Sequence, residues 1–327
     1  MSAAPSPSAW VEFPAFRRYE KARQDANNAM MALLAGSKLA AHTLQLTTGS
    51  TRLLPEIFPG VDHIRYFNLA TDAATELLED TGHHLGAVAL PYALSVHEDF
   101  IFTVLNLIQE WGYVQRAPGD NADPTKNRVS AWNMHEAVYM SLGRVPPSQG
   151  SCVFLEHFHV LREMRNAQIH AGGNITDRLR YEVVRMSPGA EAEWLRIARR
   201  APGDMVSSAD LHFTIFDIFA VFATTKGLGR MINDLLRETV STHIWSNVCV
   251  DDYAAVTSKP NRSDRWARSL VGHAALYYSA AGVSESEVMS AAIQRGLWTE
   301  GHRFFPRRVS RGAARRRDRG TRYPGGE

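Results

Sequence analysis

Residues 152–173 read CVFLEHFHVLREMRNAQIHAGG. At about 100° per residue, Phe154, Phe158, Val160, Leu161, Met164, Ala167, Ile169 and Ala171 fall on one broad arc of a helix, which predicts burial against other helices. His159, Glu163, Asn166 and His170 line the other side. Gly172 and Gly173 predict the stop, because glycine enters the left-handed backbone region without steric cost. His170 then sits in the last turn, where the negative end of the helix dipole favours a cation. Arg165 breaks the pattern, since the wheel sets it inside the apolar arc between Leu161, Phe158 and Ile169. A guanidinium cannot neutralise itself there by losing a proton. A carboxylate from another helix, a second subunit or a bound phosphate has to answer it.

Outward from this helix the chain reads as helical almost throughout. Residues 1–14, with Pro5, Pro7 and Pro14, predict a loose leader. Phe16 to about Thr47 is rich in Ala, Leu, Met, Lys and Arg and predicts a long helix, broken or kinked near Gly36. After a loop at Pro55, Pro59 and Gly60, a second helix is expected from Asp62 to Asp80, capped by Asp62 and stopped at Gly82. Leu85 to Trp111 is a nearly continuous apolar helix that carries His97, Glu98 and Asp99 in its middle. A polar connection, QRAPGDNADPTKN at 115–127, leads to a short helix around Ser130–Ser141. Beyond the quoted stretch, Thr176–Met186 predicts a helix, and Glu193–Ala198 with Asp204–Ser207 predict a small β-hairpin about an Arg-Ala-Pro-Gly turn. A long helix follows from Ser208 to about Trp245, with Gly227 and Gly229 placed to bend it. Two further helices, Arg262–Ala281 and Ser284–Leu297, precede an Arg-rich end.

The 327 residues are 45% hydrophobic, enough for a real core. Net charge is +2, yet the tail concentrates arginine, so the body without it is acidic. Two cysteines, Cys152 and Cys249, form no disulfide framework and fit a reducing cytosol, so a cytoplasmic protein is expected. No secretory signal or membrane span is legible, and no membrane partner is expected. Cys152, His157 and His159 resemble metal ligands by type, but on a helix the two histidines point to opposite sides, so no metal or other cofactor is expected. No Gly-rich phosphate loop, Gly-x-Ser-x-Gly elbow or His-Glu-x-x-His pattern occurs.

Arg165, Asn166 and His170, on a helix ending in a glycine turn, resemble the signature of the HEPN superfamily. Comparable Arg-to-His spacings recur at Arg128 with His135, Arg237 with His243, Arg268 with His273 and Arg295 with His302, so the spacing alone is unspecific. The adjacent Asn, the amphipathic helix before it and the glycine stop set Arg165 apart. The resemblance implies an all-α fold, a HEPN-like antiparallel bundle with added N- and C-terminal helices and the small β-hairpin as an insertion. The implied division is 1–14 leader, 15–60 N-terminal helical extension, 61–250 HEPN-like domain, 251–300 C-terminal helical extension and 301–327 Arg-rich disordered tail. Leu85–Trp111 looks like the family's opening core helix, with Glu98 or Asp99 as the acid that meets Arg165.

Many members of that family are metal-independent endoribonucleases, often toxins or antiphage-defence proteins. The implied activity is RNA cleavage to a 2′,3′-cyclic phosphate and a 5′-hydroxyl. His170 would exchange the proton, Arg165 would hold phosphate oxygens, and Asn166 would orient the imidazole or cap a backbone group. Five residues of helix turn Arg165 roughly 140° from His170, so a single helix does not close both on one phosphate; HEPN proteins typically pair through this helix, and the resemblance implies a homodimer through the signature helix with a composite site. Arg162 and the tail residues Arg315, Arg316 and Arg317 are candidate nucleic-acid contacts. RNA and an antitoxin or other defence-system protein are the expected partners. Two alternatives stay open: a non-catalytic helical module that binds nucleotide, RNA or a protein, and a helical scaffold whose Arg165 merely pairs with an acid such as Asp99.

Overall fold

The computed structural model of the protein describes residues 9–47, 49, 52–116, 129–257 and 263–299. The Arg-rich tail, with Arg315, Arg316 and Arg317, lies outside the described residues, as do residues 1–8 of the leader and most of the 115–127 connection. The helices in chain order are α1 (Pro14–Leu44), α2 (Leu54–Ile57), α3 (Thr71–Glu79), α4 (Thr81–Glu110), α5 (Met134–Ser141), α6 (Val153–His170), α7 (Asp177–Val184), α8 (Pro188–Ala198), α9 (Pro202–Met205), α10 (Ile215–Thr239), α11 (Thr242–Val256), α12 (Asp264–Tyr277) and α13 (Glu285–Gln294). Among the described residues there is no strand, only the isolated bridges Leu53 to Ala70 and Asn174 to Asp210. The chain is all-α.

Local chemistry sets most boundaries. Proline at the first helical position starts α1 and α8, where its missing N–H costs nothing. Thr176, Ser187, Ser241 and Ser263 accept from the backbone N–H three residues on and so cap α7, α8, α11 and α12. Thr214 with Asp217 and Ser284 with Glu287 form reciprocal capping boxes at α10 and α13. Gly172 and Gly173 take φ of 62° and 90° and end α6, as the sequence predicts.

One apolar core runs through the molecule, with α4 at its centre against α1, α10, α5 and α6. By length and composition alone α4 is apolar enough to cross a bilayer, yet half of its most apolar stretch is buried inside the protein. Trp245, Val250, Leu270 and Trp298 belong to the same core, so α11 to α13 pack on the body directly. A smaller cluster of Leu44, Leu54 and Ala74 sits beneath α2 and α3.

Several expectations are corrected. The β-hairpin is absent: Glu193–Ala198 lies in α8 and Asp204–Met205 in α9. Ser187 and Pro188 start α8, and Ala190, Trp194 and Ala198 are its buried face at four-residue spacing, a helical period that outweighs the turn signal after it. The helix expected over 62–80 is only a 3₁₀ turn, Ile64–Tyr66, and then α3. Gly82 lies inside the first turn of α4 and ends nothing. Gly36 does not interrupt α1. The long helix over 208–245 is α10 and α11, separated where Ser241 caps the second. Gly227 and Gly229 lie within α10 and admit close neighbours instead, since a Cβ would stand 2.5 Å from Phe154 and 2.4 Å from Tyr19. The last residues of the expected loose leader are fixed: Val11 and Phe13 are buried, and Asn233 accepts from the Val11 N–H at 3.0 Å and donates to its carbonyl at 2.8 Å.

Candidate functional site

Helix α6 carries the candidate residues, held against the core by Leu155, Phe158, Val160, Leu161, Met164 and Ala167. Its expected apolar arc is followed as far as Ala167 and then abandoned, because Ile169 is 49% exposed and Ala171 only half-buried. His170 is exposed in the last turn. Arg165 is half-buried, its Nε is enclosed without a hydrogen-bond acceptor, and it forms no ion pair among the described residues. Neither acid expected to meet it makes an ion pair with it among the described residues. Asp99 is exposed and borders a groove between α1 and α4, with Arg18, Tyr19 and Tyr92. Glu98 acts electrostatically on Arg162, and its own Oε1 is buried without a donor.

Asn166 does not reach the imidazole it was expected to orient; its Nδ2 donates to Glu163 Oε1 at 3.2 Å. Glu163, expected on the solvent side, is 2% exposed. After the glycine turn α7 packs along α6, and this brings Arg178 within 3.6 Å of Glu163 Oε1. One buried carboxylate therefore ties Asn166 to Arg178, an arginine that sequence spacing did not single out.

Sequence reading also missed Trp132, which precedes α5. His159 stacks on its ring with centroids 4.3 Å apart. The guanidinium carbons of Arg162 and Arg178 lie 5.5 and 5.6 Å from the ring centroid, within cation–π range. The Nε and Nη1 of Arg162 are buried without an acceptor. Burial lowers the Arg162 pKa, Glu98 and Glu163 oppose the shift, and Arg165 and Arg178 add to it. Burial first, then Arg185 and Arg162, push the His159 imidazole down to about 4, so it is neutral at pH 7. His159 also borders a cavity of about 120 Å³ with Glu136, Glu182 and Arg185. Burial raises the carboxyls of both glutamates, and Arg185 opposes the effect at Glu182.

Behind α6 runs a sealed polar chain. Tyr19 Oη donates to the Thr225 carbonyl at 2.5 Å and stands 2.9 Å from His97 Nδ1. A hydroxyl has one proton to give, so His97 Nδ1 must donate to Tyr19. His97 Nε2 is then an acceptor for His135 Nε2–H, 2.8 Å away. That leaves His135 Nδ1 as a bare lone pair, and it has no partner. Burial drives His97 down to about 3 and His135 well below the ordinary imidazole range, so both are neutral.

The expected failure of Cys152, His157 and His159 to converge has a simple geometry. His157 Nε2 donates to the Ala190 carbonyl at 2.8 Å, Cys152 Sγ lies 3.5 Å from Met231 Sδ, and His159 is on Trp132. Among the described residues no group of three or more His, Cys, Asp or Glu is placed to hold a metal ion. Compared with known proteins, the chain matches no family model, no curated protein and no solved structure.

Proposed function

We propose that this protein is an endoribonuclease in which Arg165, Asn166 and His170 of two copies face one another across a shared cleft. Arg165 is the observation that carries the reading. It is half-buried and unanswered by any described acid, at the same helix end as an exposed His170. A structural ion pair needs an acid against it, and neither Glu98, whose Oε1 is itself unpartnered, nor Asp99, which borders the α1–α4 groove, makes one with Arg165 among the described residues. The half-exposed Ile169 supports pairing of two copies through this end of α6, because it leaves apolar surface beside the polar residues.

RNA brings its own nucleophile. His170 accepts the proton of the 2′-hydroxyl, the 2′-oxygen bonds to phosphorus, the bond to the 5′-oxygen breaks, and the imidazolium returns the proton to that departing oxygen. The products are a 2′,3′-cyclic phosphate and a 5′-hydroxyl. The guanidinium of the partner subunit's Arg165 grips two phosphate oxygens as charge builds on them. Glu163 fixes Asn166 beside the helix end, which makes it a positioning residue.

The test is cleavage of a mixed-sequence RNA in EDTA, with detection of the cyclic phosphate. Arg165→Ala and His170→Ala should each lower the rate by about 10²–10⁴-fold while the protein keeps its melting temperature and oligomeric state. Undiminished cutting by both variants removes the proposal. Tight RNA binding without any cyclic phosphate replaces it with a binding module.

A further inference from the structure

The Arg162 guanidinium has two buried N–H-bearing atoms, Nε and Nη1, that find no acceptor among the described residues. Arg165, three residues on and so one turn away on the same helix, has a third at Nε. Two half-buried cations side by side repel, and an anion beside their open edges offsets that repulsion, although the enclosed nitrogens themselves are out of its reach. Glu98 is near enough to act on Arg162 but makes no hydrogen bond to it, and its own Oε1 is unpartnered. Trp132 keeps the first of these guanidiniums in place, with Arg178 over the same ring and His159 stacked on it. Arg178 is 73% exposed and held only loosely by Glu163 at 3.6 Å, so its remaining donors face solvent.

We propose that Arg162 and Arg178, carried on the Trp132 ring, form a backbone-phosphate subsite for single-stranded RNA beside the cutting end of α6. The subsite rests on the endoribonuclease reading for the identity of its ligand. Eight residues separate Arg162 from His170, about 12 Å along the helix, so the phosphate held here is a different one from the linkage being cut. Arg162, Asn166 and His170 stand four residues apart on the helix, which lays the track along one face. Arg178 presents its donors to solvent and can take two phosphate oxygens, while Arg162, whose Nε and Nη1 are enclosed, adds its positive charge and the one nitrogen left open. The subsite fixes where the strand lies, and the chemistry stays with Arg165 and His170.

The experiment is a fluorescence-anisotropy titration of the full chain with a 2′-O-methyl oligonucleotide, which has no free 2′-hydroxyl and cannot be cut, across a salt series. Each phosphate contact on a single strand contributes about 0.7 to the slope of log K against log salt. Arg162→Gln should weaken binding roughly tenfold and reduce the slope by about that increment. Arg178→Gln, at an exposed position that folding tolerates, should do the same to a smaller degree. Arg162→Lys should keep the slope, because the charge is retained, and lose part of the affinity with the planar contact to Trp132. In the cleavage assay Arg162→Gln should raise KM with kcat nearly unchanged. Slopes and affinities equal to wild type in both glutamine variants overturn the subsite even if His170-dependent cleavage persists. The expected slope changes in a protein that never cuts RNA would preserve the subsite and end the catalytic reading. Absence of any oligonucleotide binding rejects both.

Discussion

Asp252 and Arg162 are both enclosed charges on helices, and they are treated in opposite ways. Asp252, 5% exposed, accepts from Arg17 at 2.7 and 3.0 Å, from Tyr278 Oη at 2.9 Å, and faces His273 Nε2 at 2.9 Å. Burial pushes its carboxyl up, but the hydrogen bonds from His273, Arg17 and Tyr278 outweigh that and hold it below the ordinary carboxylate range. The cluster clips α1 to α11, α12 and the turn beyond. Arg162 and Arg165 have no such closure, and three of their nitrogens are orphaned. A closed charge cluster belongs to the architecture, and the open pair on α6 is the one on which the proposed site rests.

Asp252→Ala should cost about 3 kcal/mol in urea unfolding, because it strands Arg17 and Tyr278 without their acceptor. At the open pair, Arg165→Leu should not destabilise the protein, because it removes a cation beside Arg162 and an enclosed donor that finds no acceptor. Equal losses at the two positions would erase the contrast and make Arg165 a structural residue.

The His97–His135 chain lies between these extremes, closed except for one lone pair, and it gives a pH signature. Both imidazoles are depressed in the folded protein, so the unfolded chain takes up protons first as pH falls. Their contribution is full above the ordinary imidazole value of about 6.5. It is lost progressively as pH drops toward the folded value of about 3 at His97. Each should remove roughly 1.4 kcal/mol per pH unit within that window. Urea unfolding at a series of pH values should show the slope, to which the depressed His159 also adds, and His97→Gln should remove roughly 1.4 kcal/mol per pH unit of it. A flat profile down to about pH 5 would mean that the chain is not sealed as described.

The sequence made α1, α4, α6 and the glycine stop legible, because long apolar periodicity and Gly172–Gly173 are local signals. The α8 hairpin error arose where a helix of eleven residues ends at a turn that also suits strands. The anchoring of Val11 and Phe13 was not legible, since it depends on Asn233, 222 residues away from Val11 in the chain. At the site, position on α6 could be read and partners could not. The wheel marked Arg165 as anomalous, but whether an acid answers it depends on how α4 is rotated, and that rotation sends Asp99 toward α1. Trp132 left no trace in the pattern because its role arises only where α6 and α7 meet it.

In the proposed dimer one cutting site draws its imidazole and its guanidinium from different copies. Arg165→Ala and His170→Ala proteins should therefore be mixed, allowed to exchange subunits and assayed for RNA cleavage in EDTA. With random pairing, half of the dimers are mixed and each holds one intact site, so activity should return to about a quarter of wild type. A mixture no more active than the two variants assayed separately, despite demonstrated subunit exchange, would contradict the account.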